Sequence, residues 1–186
     1  MSHNTFEDGL GYEGKVTLTL KSNNRVLKSQ TYKNNGTANL FKFLGHCLIG
    51  HYSDVKDLLP TKVALLFNTA STPADAHLTN VEKRSGFTGW AQTPSIISTT
   101  DPAEVKVTYS FEVGRSTIYG DFNQVALYGD GCSDPVNDIG KCSAYYYLTD
   151  NTSNNFETEA VDQWSDTTVL LIDWELRLSN TESENN

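Results

Sequence analysis

The chain has 186 residues, of which 11% are aromatic and 20% charged, and its formal net charge is −9. This composition is typical of one folded domain rather than of a disordered chain. The negative charge and the lack of a basic cluster disfavour direct nucleic-acid binding, and the lack of a run of about 20 apolar residues disfavours a membrane span.

Both ends of the chain are polar. Residues 1–14 contain three glycines, so we predict a flexible N-terminal arm. Residues 15–180 are predicted to form the folded domain, and residues 181–186 a disordered tail. The N-terminal arm also lacks the basic and apolar regions of a secretory signal, which predicts an unsecreted, cytosolic product.

The first predicted strand covers residues 15–21. Every second residue there is apolar (Val16, Leu18 and Leu20), and the residues between them are polar. A period of two places the apolar set on one face of a strand. Ser22-Asn23-Asn24 then predicts a turn, because asparagine and serine are frequent turn residues.

One helix follows the second predicted strand, which covers roughly residues 25–33. The helix is predicted over residues 37–49 because apolar residues recur there with helical spacing. These residues are Leu40, Phe43, Leu44, Cys47 and Leu48. Gly50 supplies a residue suited to ending the helix. We expect the apolar stripe to seal one open end or edge of the sheet system.

The rest of the chain continues the β pattern. Further strands are predicted at residues 62–67, 78–85, 105–113, 123–128, 143–148 and 170–178. Residues 86–103 carry several glycines and prolines, so much of this stretch is predicted to be irregular. About seven or eight strands joined by turns, with one helix, predict a mostly β protein with an antiparallel β-sandwich or jelly-roll-like domain.

Two carboxylates alternate onto one face of the last predicted strand, at Asp173 and Glu175. Paired carboxylates can hydrolyse glycosidic bonds, but a solvated strand face also explains this spacing. No set of nucleophile, base and orienting group accompanies them. We therefore assign no catalytic residue and expect neither an enzyme nor a cofactor.

A polar loop over residues 129–140 carries Asp130, Asp134 and Asp138. Oxygen-rich loops can bind calcium, although an exposed turn has the same composition. These aspartates are thus weak metal candidates, and no metal is assigned. Cys132 lies in this loop and Cys142 just after it, and they are either two free thiols or a pair formed under oxidising conditions.

Aromatic residues are the remaining candidates for a binding role, because tryptophan and tyrosine are enriched at protein interfaces and also stack on sugars. The interface or ligand candidates are Phe6, Tyr12, Trp90, Tyr145, Tyr146 and Trp164.

Charge is unevenly distributed along the chain. Residues 1–42 hold six basic and three acidic residues, whereas residues 150–186 hold nine acidic residues and one basic residue. Either solvated faces differ in sign, or the subunit has two poles, and its basic end meets the acidic end of a neighbour.

Four short motifs occur in a recognisable order. They are residues 40–44 (LFKFL) with Gly50, residues 105–113 (VKVTYSFEV), residues 125–129 (VALYG) and residues 173–180 (DWELRLSN). In this order they resemble small structural proteins of tailed bacteriophages.

The resemblance implies a non-enzymatic virion subunit of the head, connector or tail. Such a subunit is located in the virion, contacts other virion proteins, and forms a homo-oligomer or symmetric assembly. A carbohydrate-binding module for host adsorption is the alternative.

Overall fold

The computed structural model of the protein describes residues 9–36, 45–50, 59–68, 81–98, 104–132, 144–148 and 161–181. The strands of this part of the chain are β1 (Gly9–Ser22), β2 (Arg25–Gly36), β3 (Pro60–Asn68), β4 (Val81–Lys83), β5 (Thr88–Gly89), β6 (Gln92–Ser98), β7 (Glu104–Gly114), β8 (Gln124–Gly129), β9 (Ala144–Leu148) and β10 (Thr168–Thr181). Residues 45–48 are helical, and Arg115–Thr117 and Val161–Gln163 form short 3₁₀ helices.

The clearest alternating segments form one antiparallel sheet with the order β2-β1-β10-β7-β6. The strands β1 and β10 pair along their whole length, from Gly9 opposite Thr181 to Ser22 opposite Thr168. The predicted turn between β1 and β2 is confirmed. Asn23 and Asn24 have φ angles of 48° and 64°, which is the left-handed backbone that a two-residue hairpin turn requires.

A second antiparallel sheet has the order β4-β3-β8-β9, and β5 also pairs with β3. The strand β2 connects the two sheets, because its residues 34–36 pair with β9 while its earlier residues pair with β1. The two sheets pack on each other as a sandwich and do not close into a barrel. The predicted antiparallel β-sandwich is therefore confirmed.

The core lies between the sheets. The five-stranded sheet contributes large apolar side chains to the core, among them Val16, Leu18, Leu20, Phe111, Val113, Leu170, Ile172 and Trp174. The other sheet contributes Val63, Leu65, Val125 and Leu127. Burying each large aliphatic or aromatic side chain contributes about 1.5–3 kcal/mol before conformational entropy is subtracted. The strands β3 and β8 also bury their second face, at Ala64, Leu66, Ala126 and Tyr128.

The predicted boundaries of the arm and the tail are wrong. The strand β1 begins at Gly9, so residues 9–14 belong to the sheet and not to a flexible arm. At the other end, Thr181 pairs with Gly9 and is the last residue of β10. The long partner strand explains the difference, since its hydrogen bonds order polar residues that show no alternation. Residues 1–8 and 182–186 lie outside the described part of the chain.

The predicted helix is confirmed only at its end. Residues 45–48 are helical, and Gly50 has a φ of 74°, as expected for a residue that ends a helix. However, Leu48 is exposed and Cys47 is only partly buried. At this end of the helix, the predicted stripe therefore does not seal the sheet system. The chain leaves the helix at the surface there. Residues 37–44 lie outside the described residues.

The prediction that much of residues 86–103 is irregular holds only in part. Two strands, β5 and β6, lie within this range, and Pro94 is part of β6. Because β6 pairs only with β7 in the described part of the chain, it lies at an edge, where a proline removes no essential hydrogen bond. Residues 99–103 lie outside the described residues.

The charge difference between the chain ends does not produce two poles in the described residues. The strands β1 and β10 are neighbours, so Lys15 lies opposite Glu175 and Glu13 lies opposite Arg177. The basic and acidic segments therefore meet within one subunit.

Candidate interaction surface

The outer face of the five-stranded sheet, which is the face opposite the core, carries polar side chains in cross-strand pairs. The hydroxyls of Thr17 and Thr31 are 2.9 Å apart, and those of Thr19 and Ser29 are 2.8 Å apart. Such pairs fix the register of β1 and β2, because a slip by one residue would turn these hydroxyls toward the core.

Both carboxylates of the last strand lie on the outer face, as the alternation predicts. The hydroxyl of Ser110 donates a hydrogen bond of 2.6 Å to Asp173. Glu175 forms ion pairs with Lys106 and with Arg177, whose Nε lies 2.7 Å from the Glu175 carboxylate. Arg177 also lies 3.5 Å from Glu104. These side chains form a cross-strand charge network.

The surroundings of Glu175 favour its ionised form. Desolvation acts to raise the pKa of its carboxyl, but hydrogen bonds and positive charge from Lys106 and Arg177 together lower that pKa below its ordinary value. A glycoside hydrolase needs one carboxyl with a raised pKa to protonate the leaving group. Glu175 has the opposite property, so its site is better suited to stabilising the sheet.

A lysine side chain from β3 contacts the start of the loop that carries the aspartate candidates. The Nζ of Lys62 donates hydrogen bonds of 2.9 Å to the carbonyl oxygens of Asp130 and Cys132. It also lies 3.7 Å from the Asp130 carboxylate. These oxygens therefore already contact the positively charged side chain of Lys62, which belongs to β3. Asp134 and Asp138 lie outside the described residues.

The described cysteines differ in state. Cys132 is disulfide-bonded, which removes the free-thiol alternative for this residue. Cys47 is a free thiol. Cys142 lies outside the described residues. Within the described ranges, no group of three or more His, Cys, Asp or Glu residues is arranged to hold a metal ion.

The predicted aromatic candidates have different environments. Trp164 is buried and meets Phe122 edge to face, with 6.5 Å between ring centroids, so it belongs to the core rather than to a binding surface. Trp90 is 41% exposed. Phe6 lies outside the described residues. Tyr12, Tyr145 and Tyr146 lie in β1 and β9, but their side chains are outside the described part.

Trp90 rests against Tyr109, with 6.4 Å between ring centroids. Burial raises the pKa of the Tyr109 phenol to about 12. Tyr109 is partly buried and packs against the core. One part of the Trp90 ring is covered by this contact, and the rest faces solvent.

An exposed apolar surface surrounds β6. Ile96 is 72% exposed, Ile97 49% and Val105 40%. Together with Trp90 they form a surface that we call the apolar edge. Ile96 lies opposite Val107 and Ile97 lies opposite Lys106, so the two isoleucines occupy opposite faces of the sheet. Scattered exposed apolar residues are ordinary, but several of them near one sheet edge are typical of a binding surface.

Sequence reasoning missed the apolar edge, except for Trp90. The glycines and prolines of residues 86–103 concealed the strand. A signal was nevertheless present in residues 95–98 (SIIS), where two β-branched residues favour a strand. Their exposure could not be predicted, because it depends on β6 being the last strand of the sheet.

A shallow cavity of about 290 Å³ lies on the outer face. Its wall includes Lys21 and Glu112, beside Val169 and Leu171. Trp90 is not among its lining residues. A sugar site built on tryptophan stacking would need an exposed tryptophan beside the cavity. Among the described residues, the exposed tryptophan is Trp90, and it lies outside this cavity.

No helix among the described residues is long and apolar enough to cross a membrane. Comparison of the chain with protein-family models, with curated proteins and with solved structures gives no match. Its function is therefore inferred from its own residues.

Proposed function

We propose that the chain is a non-enzymatic structural subunit of a tailed-bacteriophage particle, where it acts through contacts with other virion proteins. The apolar edge carries this proposal, because Ile96, Ile97, Val105 and Trp90 expose apolar surface that a contact with another protein would bury. Apolar surface of this kind is stabilised when a partner removes it from water.

The four sequence motifs resemble those of phage structural proteins, and this resemblance indicates that the particle is a tailed bacteriophage. The disulfide at Cys132 agrees with this proposal. Disulfides persist in oxidising surroundings such as virion surfaces, whereas thiols in the cytoplasm are kept reduced. The subunit would be made in the host cytoplasm and oxidised after release of the particle.

The chemistry of the outer face also favours a structural role. Its carboxylates are occupied in cross-strand contacts, with Asp173 bound to Ser110 and Glu175 bound to Lys106 and Arg177. Carboxylates that are already held in hydrogen bonds or ion pairs are poorly placed to transfer protons to a substrate.

The proposal is tested by fractionating infected host cells on a density gradient and detecting the chain with an antibody. We expect the chain to migrate with intact particles and to stay with them after a wash at high salt. Migration only with free proteins at the top of the gradient would contradict a structural role.

A carbohydrate-binding module is the second candidate, and the exposure of Trp90 is the observation that favours it. An exposed indole ring can stack on a sugar, and tailed phages adsorb to host glycans. The two proposed roles share a residue, because Trp90 also belongs to the apolar edge.

A glycan array separates the two candidates. If the chain binds sugars through Trp90, then Trp90→Ala abolishes the signal, while Tyr119→Ala, at another exposed aromatic residue, preserves it. Failure of the wild-type chain to bind any glycan would exclude the second candidate.

A further inference from the structure

We infer that the cavity on the outer face of the five-stranded sheet binds a small zwitterionic ligand, namely an aliphatic chain with a carboxylate at one end and an ammonium group at the other. The cavity has a volume of about 290 Å³ and is lined by residues of β1, β7 and β10. Its described lining residues include none of the apolar edge. This inference is therefore independent of the proposed function.

Two opposite charges line this cavity, and neither has a partner in the described part of the chain. They are Lys21 on β1 and Glu112 on β7. Every other charged side chain of β1, β7 and β10 has a partner. Asp173 accepts a hydrogen bond from Ser110, and the others form ion pairs, namely Glu13, Lys15, Glu104, Lys106, Glu175 and Arg177. The two unpaired charges of these strands are thus the two that line the cavity.

The sheet register keeps these two charges apart. Lys21 lies opposite Val169 on β10, and Glu112 lies opposite Leu171. Because β10 lies between them, their Cα atoms are separated by two strand spacings and by two residues along the strand, which is about 12 Å. A ligand that carries both charges can therefore contact the two side chains from within the cavity.

The floor between the two charges is apolar. It consists of Val169 and Leu171, which are half-buried on the outer face of β10. Gly114 lies opposite Val169 and has no side chain, which leaves the space beside Val169 open. Contact with this floor removes apolar surface from water, which stabilises a bound aliphatic chain. The floor thus favours a ligand with methylene groups between its charges over a compact ion.

Hydrogen-bonding groups surround the Lys21 end of the cavity. Asn23, Asn24 and Thr167 line this end, and the Thr167 hydroxyl lies 3.1 Å from the Ser22 hydroxyl. Amide and hydroxyl groups can donate hydrogen bonds to a carboxylate, as the lysine ammonium does, whereas an ionised glutamate only accepts them. We therefore place the ligand carboxylate beside Lys21 and the ligand ammonium beside the carboxylate of β7.

Linear ω-amino acids from glycine to ε-aminohexanoate test the inference, because they share both charges and differ in length. Nuclear magnetic resonance titration of the isotope-labelled full chain detects weak binding residue by residue. We expect shifts at residues 21–24 and 167–171, with the tightest binding at about four to six carbons and a dissociation constant on the order of 1–10 mM. Equal affinity at every length, or no shift at about 100 mM of any member, would overturn the inference.

Ligands with a single charge test whether both charges of the cavity are used. Hexanoate and hexylamine each keep the aliphatic chain and one of the two charged groups. Each should bind at least about threefold more weakly than ε-aminohexanoate, since one ion pair is lost. If either binds as tightly, the site is not zwitterionic and the inference fails.

Charge-removing variants test the two ends of the cavity. Lys21→Gln and Glu112→Gln should each weaken the binding of ε-aminohexanoate at least about threefold. Lys33→Gln is the matched control, because Lys33 is exposed on β2, opposite Lys15 and away from the cavity. It should bind like the wild-type chain. Unchanged affinity in both cavity variants, or an equal loss in the control, would count against the site.

A variant of Gly114 tests the cavity without a change of charge. Gly114→Leu adds a side chain on the outer face beside Val169 and should abolish binding. A Cβ atom at this position meets only the Ser116 hydroxyl, at 3.9 Å, so the backbone accommodates it. A folded Gly114→Leu chain that binds ε-aminohexanoate like the wild-type chain would show that the ligand does not occupy this cavity.

Discussion

At the scale of single residues, the least expected feature is a buried amide. Gln124 is fully buried on β8, on the same face as Ala126 and opposite Leu66 in the register. In the described part of the chain, neither its Oε1 nor its Nε2 has a hydrogen-bond partner. A buried amide without partners costs about 1–3 kcal/mol of stability, so this residue should weaken the fold.

Gln124→Met keeps the volume of the side chain and removes its polar atoms. We expect the free energy of unfolding to rise by about 1 kcal/mol, since the desolvation penalty disappears. Urea denaturation measures this change. Gln92→Met, at an exposed position, is the control and should change stability little. A loss of stability in Gln124→Met would mean that the amide is satisfied in solution.

The exposure of single candidate residues was the feature of the site that the sequence predicted least well. Trp90 and Trp164 both lie in segments without regular alternation in the sequence, yet one is exposed and the other is buried. The difference arises from neighbours distant in sequence, such as Phe122, which packs on Trp164. Spacing alone carries no information about such contacts.

At the scale of elements, the cross-strand charge network links β10 with β7. Glu175 has a pKa below its ordinary value because Lys106 and Arg177 outweigh the effect of desolvation. A carboxyl whose pKa is lowered by folding stabilises the native state above its unfolded pKa. That stabilisation is lost as the pH falls from the ordinary value of 4.5 through the lowered pKa.

Glu175→Gln should therefore lower the free energy of unfolding at pH 7 by about 0.5–1 kcal/mol, a small effect because the network is partly solvated. The difference from the wild-type chain should shrink as the pH falls below 4.5. Denaturation curves between pH 3 and pH 7 measure it. Glu112→Gln, on the same face of β7 as Lys106, serves as the control. A difference that does not vary with pH would contradict the role of the charge.

The N-terminal end of β1 offers a test by truncation. Removing residues 1–8 leaves all of β1 in place, whereas removing residues 1–13 deletes the five residues that pair with Arg177 to Thr181. We expect the shorter truncation to keep the wild-type Tm and the longer one to lower it by roughly 5 °C, because backbone hydrogen bonds are lost. Equal Tm values for the two truncations would mean that this end of the strand contributes nothing.

Elements with strong alternation were predictable, and edge elements were not. Val16, Leu18 and Leu20, like Leu170, Ile172 and Trp174, fall at every second position because one face of each strand is buried. The start of β1 and the whole of β6 lack this pattern. These segments form strands because they pair with long partner strands. Pairing between segments that are distant along the chain leaves no periodic signal in the sequence.

At the scale of the whole molecule, the described strands combine a core buried between two sheets with an exposed sheet edge at β6. The strands β3 and β8 are buried on both faces, whereas β6 exposes apolar residues on both faces of the sheet. This asymmetry suits a subunit whose stability comes from its core and whose contacts are made at an edge. The proposed particle subunit uses that edge repeatedly, in many symmetry-related copies.

The most direct test of this account is to count copies of the chain in purified particles by quantitative mass spectrometry, with labelled peptides as standards. The account predicts a fixed number of copies per particle that is the same in every preparation, because a structural subunit occupies a defined set of symmetry-related positions. Particles without the chain, or with amounts that vary between preparations, would contradict it.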